Sequence, residues 1–177
     1  MKKILTALVF TICKLSFSQV IIGDNVGTAT DKTSVLLEFS STQNKGIILP
    51  YITDKTGINT PGSIILNATT PTAAKVEYYN GTSWVDLSVQ VANVSSYLGI
   101  QPTAKENNNA KVIIGANSST ADGILVLEST TKAMVLPIVS SYQNIINPAP
   151  GMMVLLNDGG IKTLAFYNGN KWSFWSY

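Results

Sequence analysis

The chain carries one series of short motifs twice, and this duplication constrains its fold more than any other feature. The series begins with VIIGDN at 20–25 and again with VIIGAN at 112–117. Three landmarks then follow in the same order: a Leu/Ser/Thr segment ending in Leu-Pro, a Pro-Gly pair before an apolar run, and a Tyr-Asn-Gly-x-x-Trp motif. We therefore expect two structural units of the same kind, each of about 70 residues.

The landmarks also divide the chain. We expect a first β unit (unit 1) at residues 19–88, a second (unit 2) at 111–177, and a linker at 89–110. The end of the linker, 101–109, is polar and rich in turn-forming residues. Its beginning, 89–98, fits either a strand or a short helix.

Residues 1–18 have the layout of a secretory signal peptide. Two lysines follow Met1, residues 4–13 are apolar, and the small residues Ser16 and Ser18 precede the predicted cleavage site. A buried N-terminal helix is the alternative. The apolar stretch is too short to span a bilayer, and no other stretch has the required length. We therefore expect an exported protein without a transmembrane span in the mature chain, either secreted or on the outer cell surface.

The expected mature chain lacks the side chains on which most catalytic and metal sites depend. The sequence has no His and one cysteine, Cys13, which lies inside the predicted signal and would be removed with it. Thr11 and Ile12 before that cysteine do not suit lipidation. We therefore expect no catalytic residue, no cofactor and no metal site.

The charge argues against a nucleic-acid partner. The net charge of +2 includes Lys2, Lys3 and Lys14, and it becomes −1 when the signal is removed. The chain contains no Arg. A slightly negative protein has no counterion-release drive toward nucleic acid.

Within each unit the apolar runs are short, β-branched and separated by Gly, Pro, Asn or Asp, which is typical of strands. The runs of unit 1 are 20–22, 47–49, 63–66, 76–79 and 84–87. Segments 53–59 and 140–147 allow a helical turn. The predicted fold class is all-β, a tandem repeat of two small antiparallel β units with β-hairpins and few or no helices apart from the N-terminal signal.

An Asn-Gly pair at 80–81 and another at 168–169 predict hairpins. Asn-Gly suits the type I′ turn because both central residues need a positive φ. A two-residue turn there pairs Tyr79 with Thr82, and side chains then alternate between the two faces. In unit 2 both faces of the hairpin carry large aromatics, so we expect a second sheet or another chain to cover it.

Four hairpin aromatics are the candidate ligand or interface residues: Tyr79, Trp84, Tyr167 and Trp172. In each unit the tyrosine and the tryptophan share one face of the hairpin. Aromatic rings of this kind can stack on sugars, which would suit a glycan-binding surface. Packing in a core or a chain interface explains the same placement, and it is the interpretation that we favour.

Acidic residues give little support to a hydrolase or a calcium site. Glu38 and Glu128 lie in related segments but are offset in the alignment, and glycoside hydrolysis needs two carboxylates in one cleft. Asp24-Asn25 and the turn at 157–160 lack the alternating ligands of a calcium loop. Turn chemistry explains them. A calcium-dependent enzyme is the least favoured class.

The ordered landmarks resemble a family of repeat units found in secreted and surface proteins of Bacteroidota and in phage tail-fibre-like proteins. The family pattern of VGIGT, KGFLPPR, PAxGLLVYNT and YYNGxxW is similar to VIIGDN, KGIILP, PGSIILN and YYNGTSW here. This chain departs at Tyr51 and Ile138, where the family often has a basic residue, and at Lys132-Ala133, where it has Lys-Gly. The resemblance implies fibre or stalk regions, often trimeric, with adhesive or receptor-binding roles and no catalytic residues.

We therefore predict an exported, non-enzymatic surface or fibre-like structural or adhesion protein. Small units without a disulfide or metal are marginal by themselves, so we expect a homo-oligomer, with the trimer implied by the resemblance. A glycan or a surface receptor is the expected external partner. The alternative function is a carbohydrate-binding module that recognises glycans through the hairpin aromatics.

Overall fold

The computed structural model describes residues 19–40, 42–99, 107 and 110–175. The predicted signal at 1–18 lies outside the described residues. The described part of the chain forms fourteen strands, one four-residue helix and two 3₁₀ turns, so the all-β prediction is confirmed. No helix within these ranges is long and apolar enough to cross a membrane.

The two units share one order of strands. Unit 1 contains β1 (Val20–Ile22), β2 (Val35–Phe39), β3 (Ile47–Ile48), β4 (Tyr51–Ile52), β5 (Ile64–Asn67), β6 (Lys75–Tyr79) and β7 (Trp84–Asp86). Unit 2 contains β8 (Val112–Ile114), β9 (Leu125–Leu127), β10 (Ala133–Met134), β11 (Ile138–Val139), β12 (Met152–Asp158), β13 (Ile161–Tyr167) and β14 (Trp172–Trp175). The sequence repeat is therefore a repeat of topology.

The pairing within a unit is mixed. The last three strands of each unit form an antiparallel meander, which contains the hairpin predicted at the Asn-Gly pair. The first two strands pair in parallel, and so do the fourth and fifth. A parallel pair needs a crossover connection, which in unit 1 is supplied by the long loops at 23–34 and 53–63.

The most buried strand is one that the sequence pattern does not predict. In β2 the first four residues are buried, among them Leu37 and the charged Glu38. The strand is enclosed because β1 pairs with one of its edges and β10 with the other. Glu38 interrupts the apolar run, so a pattern based on hydrophobicity misses the strand.

The hairpin register differs from the prediction by two residues. Tyr79 pairs with Trp84, and Tyr167 pairs with Trp172, so Tyr79 does not face Thr82. Only the glycine of each Asn-Gly pair has a positive φ, +98° at Gly81 and +108° at Gly169, so neither turn is type I′. A shift of two residues keeps every side chain on its predicted face, because side chains alternate with a period of two.

The asparagines of these turns act through their side chains. Asn80 Oδ1 accepts hydrogen bonds from the N–H groups of Thr82 and Ser83, both at 2.8 Å. Asn168 Oδ1 accepts the two equivalent bonds in unit 2, both at 2.9 Å. Asparagine is therefore placed there as an acceptor for turn N–H groups, and the positive φ is left to glycine.

Helical turns occupy part of the expected positions. A 3₁₀ turn lies at Tyr142–Asn144, within the segment 140–147, whereas residues 53–59 form no helix. Of the two alternatives for the segment 89–98 the short helix is found, as α1 at Ser95–Leu98, and Ala92 forms only an isolated bridge to Ala74.

One of the two hydrophobic clusters in the described residues is shared by the two units. Leu66 and Val76 of unit 1 pack in one cluster with Met153 and Phe166 of unit 2. The domain boundaries themselves stay a prediction, and residues of 89–110 enter this core, since Ala92 and Val94 are buried in it. Unit 1 therefore buries its apolar side chains together with those of unit 2, whereas a second cluster, which includes Val139 and Val154, lies within unit 2 alone.

Candidate functional site

The predicted aromatic pairs form in both units with the same geometry. The ring centroids of Tyr79 and Trp84 are 5.4 Å apart with an interplanar angle of 45°. Those of Tyr167 and Trp172 are 5.3 Å apart at 44°. All four side chains are half-buried. Tilted rings opposite each other on neighbouring strands are the usual arrangement of stabilising cross-strand pairs.

Other protein groups lie against the tryptophan rings. Lys55 Nζ lies 5.1 Å from the ring centroid of Trp84 and also forms an ion pair with Glu77 at 2.8 Å. In unit 2 the ring centroid of Tyr142 lies 6.1 Å from that of Trp172. These contacts favour a packing role for the tryptophans, since a sugar would have to compete with them for the ring surface.

Truncating either tryptophan should destabilise the fold. We expect Trp84→Ala and Trp172→Ala each to lower the free energy of unfolding by about 1–2 kcal/mol, because half-buried aromatic area is lost. Urea unfolding followed by circular dichroism measures this. Unchanged stability combined with loss of binding on a glycan array would instead identify the rings as ligand-binding groups.

Glu38 is a fully buried carboxylate in the middle of β2. It accepts hydrogen bonds from the N–H groups of Thr28 at 2.8 Å and Ala29 at 3.0 Å, and from the side chains of Lys32 and Gln19. Burial raises the pKa of Glu38, but the bonds donated by Lys32, Ala29 and Thr28 outweigh burial and lower the pKa below its ordinary value of 4.5. The carboxylate holds the crossover loop 23–34 against the sheet.

The second predicted glutamate has a different place. Glu128 follows β9, and its N–H donates to Ile114 O at 2.8 Å, as the N–H of Ser40 donates to Ile22 O at 2.9 Å. Glu128 is therefore equivalent to Ser40, and the offset inferred from the alignment is confirmed by the register. Because Glu38 is buried among its own partners, the two carboxylates do not form an open acidic cleft of the kind that a glycosidase needs.

The oxygen-rich turns serve the backbone. Asp24 Oδ1 accepts hydrogen bonds from the N–H groups of Val26 and Gly27 at 2.9 and 2.6 Å. Gly159 and Gly160 have φ values of +57° and +91° and link β12 to β13 in a two-residue turn of type I′ geometry. Among the described residues no cluster of His, Cys, Asp or Glu could hold a metal ion.

The arrangement that sequence reasoning missed is an exchange of strands between the units. β10 of unit 2 pairs in parallel with β2 of unit 1, with Val135 N–H donating to Leu37 O at 2.8 Å. In the other direction β3 of unit 1 pairs antiparallel with β12 of unit 2, with Leu49 N–H donating to Gly151 O at 3.1 Å. The exchanged strands lie in the two equivalent segments KGIILP (45–50) and KAMVLP (132–137).

The hairpin of unit 2 also binds the segment that leaves unit 1. Asn168 Nδ2 donates to Gln90 O at 2.8 Å, and Trp175 Nε1 donates to Leu87 O at 2.6 Å. Ser173 Oγ donates to Ser88 O. These side-chain bonds to main-chain carbonyls join residues far apart in sequence, so they attach one unit to the other.

A comparison with models of protein families identifies the family of this chain. The family model described as the phage tail like trimerisation region matches residues 25–105 and 113–176. The chain belongs to this family. No curated protein and no solved structure matches the chain.

Membership of the trimerisation-region family confirms part of the sequence interpretation. The chain is a tail-fibre-like, structural and oligomeric protein, and the family is one of trimers. Because the family match covers both units, the strand exchange between them lies inside the region that the family uses for association. The role of Tyr79, Trp84, Tyr167 and Trp172 as ligand or interface residues stays a prediction.

Proposed function

We propose that this chain is an exported, non-enzymatic segment of a cell-surface fibre, in which three copies associate and the fibre serves adhesion. The observation that carries the proposal is the match to a trimerisation region over both units. The secretory layout of residues 1–18 supports export. The resemblance to surface repeat proteins of Bacteroidota supports adhesion to a glycan or a surface receptor.

The strand exchange supports a role in assembly. The strand β2 is enclosed because β1 of its own unit covers one edge and β10 of unit 2 adds a strand to the other. One edge of β12 is likewise completed from the other unit, because β3 pairs with its start and β11 of unit 2 with its middle. Units of this kind complete their sheets with strands from a neighbour, and this is the physical basis for building a fibre from repeated copies.

The direct test is the mass of the folded protein. We expect the chain without residues 1–18 to sediment with the mass of three chains at micromolar concentration. A stable, folded monomer under these conditions would contradict the proposal. Fusion of residues 1–18 to a reporter enzyme tests export separately, and a reporter retained in the cytoplasm would remove the surface location.

A further inference from the structure

We propose that unit 2 of one copy binds unit 1 of a second copy through strand edges, repeating the contact that joins the two units inside the chain. The surface of unit 2 consists of the free edges of β9 and β10, and the surface of unit 1 consists of those of β3 and β5. This inference rests on the proposed trimer and deepens it, since it assigns the surface and the occupant.

The contact inside the chain has two parts. β2 of unit 1 receives β10, with Leu37 opposite Met134. β12 of unit 2 receives β3, with Met153 opposite Ile47. Unit 1 therefore contributes β2 and β3 to the contact. Unit 2 contributes β10, which is equivalent to β3, and β12, which is equivalent to β5.

The strand register identifies the equivalent positions that remain open. Val20 pairs with Leu37, and Val112 at the same place in unit 2 pairs with Leu125, so β9 corresponds to β2. By the same reasoning β5 corresponds to β12, because each pairs in parallel with the strand that follows Leu-Pro. In the described part of the chain β9 pairs only with β8, and the start of β5 pairs only with β6.

The hydrogen-bond directions agree with this assignment. Val112 N–H donates to Ile124 O, and Glu128 N–H donates to Ile114 O, both at 2.8 Å, so every second residue of β9 faces β8. Leu125 lies between them and directs its N–H and C=O to the other edge. In β3 the N–H of Leu49 faces β12, so Ile48 directs its backbone to the edge that would meet β9 of another copy.

Side chains on a strand with partners on both edges are more buried than their equivalents on a strand with one partner. Leu37 in β2 is fully buried, whereas the equivalent Leu125 is 46% exposed and the preceding Ile124 is 65% exposed. Ile48 of β3 is 55% exposed. An isolated two-stranded sheet with exposed aliphatic side chains is marginal in water, and an added strand would both bury these side chains and satisfy the edge.

The second half of the surface borders an apolar groove. The groove has a volume of about 340 Å³, and its lining includes Ile64 of β5, Met134 of β10 and the adjacent Leu136. Met134 directs its backbone away from β2, because its neighbour Val135 donates to Leu37 O. Ile64 of β5 and Met134 of β10 therefore line the same apolar groove, although these two strands do not pair with each other.

The contact joins two different surfaces, one on unit 2 and one on unit 1. Contacts of this heterologous, head-to-tail kind form a closed ring when the rotation between copies permits it. In a ring of three copies the assigned surface of each unit 2 meets the assigned surface of a unit 1, since each chain presents one surface of each kind. The occupant is a second copy of this chain, because the contact between copies continues the contact between units that is already present inside the chain.

Proline at the open edge tests the proposal. Leu125→Pro removes an N–H that points away from β8, so the chain should keep its circular dichroism spectrum while its sedimenting mass falls from three chains to one. Val126→Pro is the matched control, because that N–H faces β8 and its loss should lower the unfolding midpoint. If Leu125→Pro still sediments as the trimer formed by the unchanged chain, the inference is overturned while the proposed function stands.

A cross-linking experiment tests the occupant directly. In chains that also carry Cys13→Ser, a tagged copy with Leu125→Cys is refolded together with an untagged copy carrying Ile47→Cys, and both are oxidised. We expect a disulfide that joins tagged to untagged chains, because Ile47 is equivalent to Met134, the partner of Leu37. A parallel mixture contains tagged Leu125→Cys copies and untagged Met134→Cys copies. A disulfide between chains in this mixture and none in the first would mean that unit 2 binds unit 2, and it would overturn the head-to-tail contact.

Discussion

Replacing Gly115 with alanine should lower the free energy of unfolding by about 2–5 kcal/mol. Gly115 directly follows β8 with a φ of +99°, where an L-residue costs about 1–2 kcal/mol. A Cβ atom at this position would lie 2.1 Å from the carbonyl oxygen of Glu128 and 3.1 Å from Leu36 Cδ1. The backbone of the β8–β9 pair would have to separate, which adds an overpacking cost of about 1–3 kcal/mol.

Gly160→Ala is the matched control for this change. Gly160 has a φ of +91°, and a Cβ atom there would meet no heavy atom within 4 Å. Urea unfolding of both variants at one protein concentration should therefore show only the backbone cost, about 1–2 kcal/mol, for Gly160→Ala. Equal costs for the two variants would mean that the close approach to Glu128 carries no energy.

Glu38→Gln should destabilise the protein by about 2–4 kcal/mol at neutral pH. The substitution keeps the size of the side chain but removes the charge that pairs with Lys32. The N–H groups of Thr28 and Ala29 both donate to Oε2, which an amide oxygen can replace. An amide nitrogen at the position of Oε1 cannot accept from Lys32 Nζ and Gln19 Nε2, which donate there. A buried donor left without a partner costs about 1–3 kcal/mol, and a lost charge-assisted bond costs a similar amount.

The difference between the unchanged chain and Glu38→Gln should depend on pH. Because the folded-state pKa of Glu38 is lowered from 4.5, its carboxylate contributes stability that is fully present above pH 4.5 and is lost as the pH falls through the lowered pKa. We expect urea unfolding to show a large difference in the free energy of unfolding between the two chains at pH 7. The difference should be small at a pH below the lowered pKa of Glu38. A difference that does not change with pH would contradict the assignment of the charge.

Glu128→Gln provides the control in unit 2. Glu128 is half-buried and accepts a hydrogen bond from the Ser119 hydroxyl, and no ion pair of Glu128 is found within the described residues. An amide oxygen can accept the same bond, so we expect a cost below about 1 kcal/mol. A cost as large as that of Glu38→Gln would show that burial of the charge in β2 is not the source of the effect.

The hairpins illustrate how far local sequence information reaches. The Asn-Gly pairs correctly predict two hairpins, and alternation correctly places Tyr79 with Trp84 on one face. The register is wrong because the turn conformation depends on hydrogen bonds that Asn80 makes through its side chain to two backbone N–H groups. The face on which a side chain lies depends only on whether its position along the strand is odd or even. A register shift of two residues therefore leaves the predicted faces correct.

The strand β2 shows where local information fails. Its charged residue Glu38 reads as an exposed position, and only the loop that folds back over it supplies the Lys32 side chain and the two N–H groups that make burial possible. These partners come from residues 28–32, on the crossover that precedes the strand. A pattern of apolar and polar residues along the chain does not show which donors will bind a charged side chain after folding. It therefore fails to predict the strand.

The repeat, the all-β class, the hairpin faces and the family resemblance are contained in the order of residues along the chain, because each depends on short-range spacing and alternation. The tertiary structure alone decides which strand edges are filled. The equivalent segments KGIILP and KAMVLP pair differently, β3 with β12 and β10 with β2, although their sequences are alike. The physical reason is that strands pair through backbone groups, which are the same in every residue except proline. The N–H and C=O groups of an edge therefore form hydrogen bonds with whichever strand the fold brings beside them.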